Sequence, residues 1–228
     1  MLTKILSMAN VGLKSERVEV EVNVAEKGFP GFNIVGLNGK SVDETRERVK
    51  TAIINSDIEF PTAKITVNLA PADLTKDGSA YDLPIAMGII AAIGEINLPE
   101  DKAYFYGELS LDGSLHHTKG VFLLALLAKE DGVKNIFVPR MSANEASVIE
   151  GVNVYPVDNL KNLIRHLRGE KIINALKPID ITEVLNDITP EFDFSEILGQ
   201  NQAKRALEIA AAGGHNIFMM GPPGSGFL

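Results

Sequence analysis

The residues whose types and spacing most suggest chemistry are Gly221-Pro222-Pro223-Gly224-Ser225-Gly226. Glycines let backbone N–H groups converge on a phosphate without a Cβ in the way. Gly221 and Gly226 have the spacing of a G-x-x-x-x-G-K-[ST] phosphate-binding loop. The apolar run Asn216-Ile217-Phe218-Met219-Met220 predicts the buried strand that should lead into it. The next two positions should hold a Lys for the terminal phosphates and a Ser or Thr for magnesium. They hold Phe227 and Leu228, where the sequence stops, and the helix whose N-terminus would hold the phosphate does not follow. The expectation is the front part of a P-loop ATPase, with an incomplete Walker A loop, no ATP turnover and no bound nucleotide in this chain. The alternative is a chance Gly-Pro loop after a strand.

Other candidates are weaker. His116 and His117 are adjacent, and on a strand they would point to opposite faces, which suits structural or surface roles better than a shared metal. Asp43, Asp73, Asp77 and Asp82 lack EF-hand spacing, so no metal site is expected. Without cysteine, disulfides, thiolate sites and cysteine nucleophiles are excluded. The net charge of -8 argues against a wholly basic nucleic-acid surface but leaves room for a local patch. Arg46, Arg48 and Lys50 lie on a mixed-charge helix, as solvated charges or as phosphate contacts. No apolar run approaches the ~20 residues of a membrane helix, and no signal peptide is visible. A cytoplasmic protein without membrane contact is expected.

The elements that would position these residues alternate in type. Val18, Val20, Val22 and Val24 alternate with Glu19, Glu21 and Asn23, predicting a half-buried strand, with a return strand at 32–36. Ser41-Val42-Asp43-Glu44 reads as a capping box, and the helix after it should bury Val42, Val49, Ala52 and Ile53. Strands are expected at 65–69, 104–111, 115–117, 135–139 and 152–157, with Asp112-Gly113 as a hairpin turn. Helices are expected from Asp82 to about Ile93, over 120–129, 142–149, 160–167 and 201–212. The pattern is an α+β, or mixed α/β, domain over 1–168, a linker over 169–192 and a second piece over 193–228.

Several stretches carry a resemblance. Gly31-Phe-Asn-Ile-Val-Gly-Leu, Ile65-Thr-Val-Asn-Leu-Ala-Pro-Ala-Asp, Lys76-Asp-Gly, Asp82-Leu-Pro-Ile-Ala and Tyr106-Gly-Glu-Leu-Ser-Leu-Asp-Gly make the front similar to the N-terminal domain of the ComM/YifB group. Phe194-Ser-Glu-Ile-Leu-Gly-Gln, Gly213-Gly-His-Asn and the glycine loop make the tail resemble the start of the magnesium-chelatase-like AAA+ module. The resemblance covers essentially the whole chain. It implies a Lon-protease-like domain of the ribosomal-protein-related β-α-β type, then the first elements of an AAA+ domain. It further implies ATP and Mg2+ as cofactors of the complete protein, DNA as its partner in branch migration during natural transformation, and self-association into a ring, a hexamer, when the motor is present. It does not imply a true chelatase.

The same resemblance bears on catalysis. Lon-type peptidases use a Ser whose proton is taken by a desolvated Lys. Carried onto this sequence, the nucleophile position falls on Ala80 and the dyad Lys position on Phe122. A shifted Ser79–Lys119 dyad is out of register, and Lys76, Lys119 and Arg140 read as solvated or partner-facing charges. The expected role is a non-catalytic scaffold or a DNA- or oligomer-contact domain. The alternatives are an assembly module without DNA contact and, third, a Ser-Lys peptidase.

Overall fold

Val18, Val20, Val22 and Val24 are all buried, and their alternation with polar residues gives β2 (Lys14–Ala25) one packed face. The structure, a computed structural model, describes residues 1–12, 14–25, 28–37, 39–74, 76, 78–180 and 193–222. The chain forms two compact units, Met1–Ile181 and Thr182–Leu228.

In the first unit β2 lies between two antiparallel neighbours, β1 (Leu2–Val11) and β4 (Lys64–Ala70). β3 (Gly31–Val35) joins β4 in parallel. On the other flank β5 (Ala103–Phe105) runs parallel to β1, β8 (Asn135–Pro139) to β5, and β9 (Asn153–Val157) to β8. The sheet order is β3-β4-β2-β1-β5-β8-β9. A separate hairpin pairs β6 (Glu108–Leu109) with β7 (Leu115–His116). The helices are α1 (Gly39–Asn55), α2 (Asp82–Ala92), α3 (Val121–Glu130), α4 (Arg140–Ser147) and α5 (Leu160–Leu167). This is the mixed α/β fold that the residue pattern predicts.

Every residue of α2 is buried, which is why its sequence has no polar face. It packs across β1 and β2 so closely that a Cβ at Gly88 would sit 2.5 Å from Val22 Cγ2. One core joins α1, α2 and α5 to the β3-β4-β2-β1 half of the sheet. A second joins α3 and α4 to the opposite side of the strands around β8. Phe105, Phe137 and Tyr155 stack across β5, β8 and β9 with centroids 4.8 and 4.7 Å apart. Burial lowers the His166 pKa; its ring lies against Phe137 and Tyr155, and its Nδ1 accepts from Ile173 N at 3.0 Å.

Some expectations shift. α1 starts at Gly39, so Ser41 lies inside the helix and not at its cap; Val49, Ala52 and Ile53 are buried as expected, Val42 half-buried. The predicted strand over 104–111 is broken: Gly107 N donates to Ala80 O at 2.9 Å and Gly107 O accepts from Leu83 N at 3.0 Å, which takes the chain off the main sheet. Residues 170–180 have no helix or strand, yet Leu176 N donates to Val154 O at 2.8 Å and Ile179 N to Ser147 O at 3.1 Å.

In the second unit, Asp193 Oδ1 accepts from Ser195 N at 2.7 Å and caps a short 3-10 helix, Phe194–Glu196. α6 (Asn201–Gly213) follows. The predicted buried strand over 216–220 is not formed; Phe218 and Met220 are each 87% exposed. A strand needs a neighbour to bond its N–H and C=O groups, and no described segment pairs with these residues. Among the described residues no helix is long and apolar enough to cross a membrane.

Candidate functional site: the head of α2 and its carboxylates

The head of α2 gathers a network of buried polar groups, Thr45, Asp82, Thr118 and Ser142 among them. Asp82 opens this otherwise apolar helix and is fully buried. A lone carboxylate there would be very unfavourable. Arg48, from the third turn of α1, supplies the counter-charge: its Nε donates to Asp82 Oδ2 at 2.8 Å and its Nη2 to Oδ1 at 3.4 Å and to Thr45 Oγ1 at 3.2 Å. Leu109 N donates to Asp82 Oδ2 at 3.4 Å. Burial pushes the Asp82 carboxyl up to about 6, with Arg48 opposing the rise.

One turn earlier, the Ser79 hydroxyl donates to Glu108 Oε2. The pairing follows from the backbone: Asp82 N donates to Ser79 O at 3.0 Å, and residues 80 and 83 bond Gly107. Behind Glu108, its N donates to Thr118 Oγ1 at 3.3 Å, Thr118 N donates to Ser142 Oγ at 2.9 Å, and Ser142 Oγ shares a hydrogen bond with His117 Nδ1 at 2.8 Å. Ser142 is fully buried, so this Ser–His pair presents no accessible nucleophile.

A dyad peptidase needs a hydroxyl in hydrogen-bond reach of a base. Ala80 is buried in the second core and carries no such group. Phe122 stands in the first turn of α3. Ser79 is held by a carboxylate, and among the described residues no ammonium or imidazole bonds it; Lys119 is exposed.

Lys76 and Arg48 behave differently from the sequence reading. Lys76 is not a solvated charge: it is 2% exposed, and its Nζ donates to Leu74 O at 3.1 Å and to Pro71 O. Burial pulls its pKa below the ordinary lysine value, against the pull of Asp73. Arg140 is paired with Asp158. Arg48, read as a solvated or phosphate-contacting charge, is committed to Asp82. The signal for that pair was present: a carboxylate heading a helix without a polar face must find a buried partner.

Of the phosphate-loop residues, Gly221 and Pro222 are exposed coil, while Pro223, Gly224, Ser225 and Gly226 lie outside the described residues, as does Asp77. Among the described residues no three His, Cys, Asp or Glu come together as a metal site. His116 pairs with Ser110 and His117 with Ser142.

A mixed sheet with a Ser-bearing loop heading a buried helix is a Lon-protease-like arrangement. Comparison with known proteins agrees: the chain is 22% identical over 178 residues to the Lon protease of Mycoplasmopsis agalactiae, covering 72% of this chain and 18% of that protein. The family profile for subunit ChlI of Mg-chelatase matches residues 20–142, and a second one, for magnesium chelatase subunit ChlI, matches residues 193–227. The chain belongs to this magnesium-chelatase ChlI family. It is 40% identical over 227 residues both to the competence protein ComM of Haemophilus influenzae and to YifB of Escherichia coli, covering 99% of this chain and 44% of each relative. The chain thus spans less than half the length of these relatives.

Proposed function

We propose that the chain is the N-terminal portion of an AAA+ ATPase that remodels DNA by branch migration; membership of the magnesium-chelatase ChlI family supports the ATPase part of this reading, and the name of the relative ComM, a competence protein, supports a role in competence. In this reading residues 1–168 form a Lon-like domain that has lost peptidase chemistry, 169–192 connect, and 193–228 begin the ATPase domain. Gly221 to Gly226 contribute the backbone of the phosphate loop, and ATP, Mg2+ and a hexameric ring belong to the complete protein. The complete protein works in the cytoplasm. The first unit then serves as a scaffold that holds subunits or DNA.

The observation that supports this reading is the 40% identity to ComM over 99% of the chain; the loss of peptidase chemistry is inferred from Ala80 and Phe122 at the positions that the Lon resemblance assigns to the dyad, with Glu108 holding Ser79. The test is binding of a fluorescein-labelled four-way DNA junction to the 228-residue chain at low and at physiological salt. Direct contact through this portion predicts affinity that falls steeply with salt. No binding even at low salt contradicts DNA contact by this portion. The acidic balance of the chain, -8, favours a second reading for that case, an assembly module without DNA contact.

A further inference from the structure

β9 ends the seven-stranded sheet, with β8 bonded along one flank and no described strand along the other. Such a flank presents unpaired N–H and C=O groups, and native sheets cover or blunt it. Here the cover is the chain's own segment 170–180, which belongs to the first unit although it forms no helix or strand. Leu176 N donates to Val154 O of β9 at 2.8 Å, and Ile179 N donates to Ser147 O at the end of α4 at 3.1 Å. Ile173 packs on the first core and Leu176 on the second, so the segment crosses the sheet edge from one side to the other. Pro178 offers no N–H to a further strand.

One side chain holds the front of this segment. Ile173 N donates to His166 Nδ1 at 3.0 Å, so the imidazole is neutral and carries its proton on Nε2. His166 is half-buried on α5, against the rings of Phe137 from β8 and Tyr155 from β9. The charged groups around it have other partners. Arg165 pairs with Glu170 at 3.4 Å, Arg168 pairs with Glu95, and Lys171 Nζ donates to Asn162 Oδ1 at 3.2 Å. Among the described residues no carboxylate bonds the ring, and burial alone lowers its pKa below the ordinary 6.5.

We propose that residues 170–180 are a releasable strap over the edge of β9, with His166 as its latch. A proton on Nδ1 turns the acceptor into a donor that faces the Ile173 N–H, so the bond is lost and two N–H groups oppose each other. The front of the strap then lifts from α5, and the Leu176–Val154 bond is the next to open. The sign follows from the docked ring being held neutral: the latch is intact above pH 6.5 and weakens as pH falls below it. Release bares the main-chain groups of β9. It also adds the strap's residues, at up to ~3.5 Å each, to the stretch between the two compact units.

The test is amide hydrogen exchange of the 15N-labelled 228-residue chain at about pH 7.5 and about pH 5.5, corrected for intrinsic exchange rates. The amides of β4 report opening of the whole unit. Relative to them, Ile173 and Leu176 should lose about fivefold in protection at the lower pH, the worth of one hydrogen bond. In His166→Asn an oxygen that does not titrate replaces Nδ1, and protection there should be the same at both pH values. Should that variant misfold, the unaltered chain decides: the His166 ring and the Ile173 amide should titrate together, with a midpoint below 6.5. Equal protection of the parent at both pH values, the same loss in His166→Asn, or an Ile173 amide that does not follow the ring's titration would overturn the proposal.

Discussion

Arg48 Nε stands 2.8 Å from Asp82 Oδ2, joining the third turn of α1 to the first residue of α2 across the polar head of the Lon-like site. Asp82 is fully buried and has no water to fall back on, while Arg48 keeps only 21% of its side chain exposed. Removing one partner leaves the other charge uncompensated. Arg48→Met is expected to destabilise the first unit by about 3–5 kcal/mol at neutral pH. The Asp82→Asn change in that background should recover part of the loss. Urea unfolding of the parent and the two variants checks this, and an Arg48→Met chain as stable as the parent would refute the pair's importance.

The same carboxylate sets a pH signature. Its folded value of about 6 lies above its ordinary 3.8, so the folded state binds its proton more tightly than the unfolded state does. This contribution to stability is fully present below about pH 4 and is lost as pH rises through about 6, a swing of roughly 3 kcal/mol. The stability of the parent minus that of Asp82→Asn should therefore fall across this window. Urea midpoints at stepped pH measure it; a flat difference would contradict the assignment.

Gly88 marks the closest approach of α2 to the sheet. Alanine would gain about 1 kcal/mol of helix propensity. Its Cβ would also press on Val22 Cγ2 at 2.5 Å and Val22 Cβ at 3.2 Å, both in a fully packed strand. Overpacking of this kind costs about 1–3 kcal/mol and should win, so Gly88→Ala is expected to lower the urea midpoint. An unchanged or raised midpoint would show that β2 can yield.

Lys76 ties the loop after β4 to itself through the carbonyls of Pro71 and Leu74. Lys76→Met keeps the apolar stem and removes the donors, leaving both carbonyls without this partner. The expected loss is about 1–3 kcal/mol, with faster protease cleavage within residues 71–79. Cleavage at the parent rate would mean that the ammonium does not order this loop.

Much of the architecture was legible because burial imposes a period. The valines of β2 and the unbroken apolar run of α2 each announce their element through the side chains they must hide. Contacts between distant residues leave no such period. Arg48 and Asp82 are 34 positions apart, and Lys76 looks like a surface lysine until the loop folds over it. The Ser41 capping box failed because α1 begins earlier, at Gly39. The run at 216–220 has strand composition without a strand beside it. At the candidate site, the residue types at 79, 80 and 122 pointed to lost peptidase chemistry. Only the fold revealed that Glu108 is the group that holds Ser79.

We infer that this Lon-like unit keeps the fold and lacks the peptidase reaction. Release of fluorescent peptides from labelled casein by the 228-residue chain tests it most directly, with Ser79→Ala alongside. The expected result is release at the buffer blank for both. Release above the blank that disappears in Ser79→Ala would make Ser79 a working nucleophile and contradict the loss of peptidase chemistry.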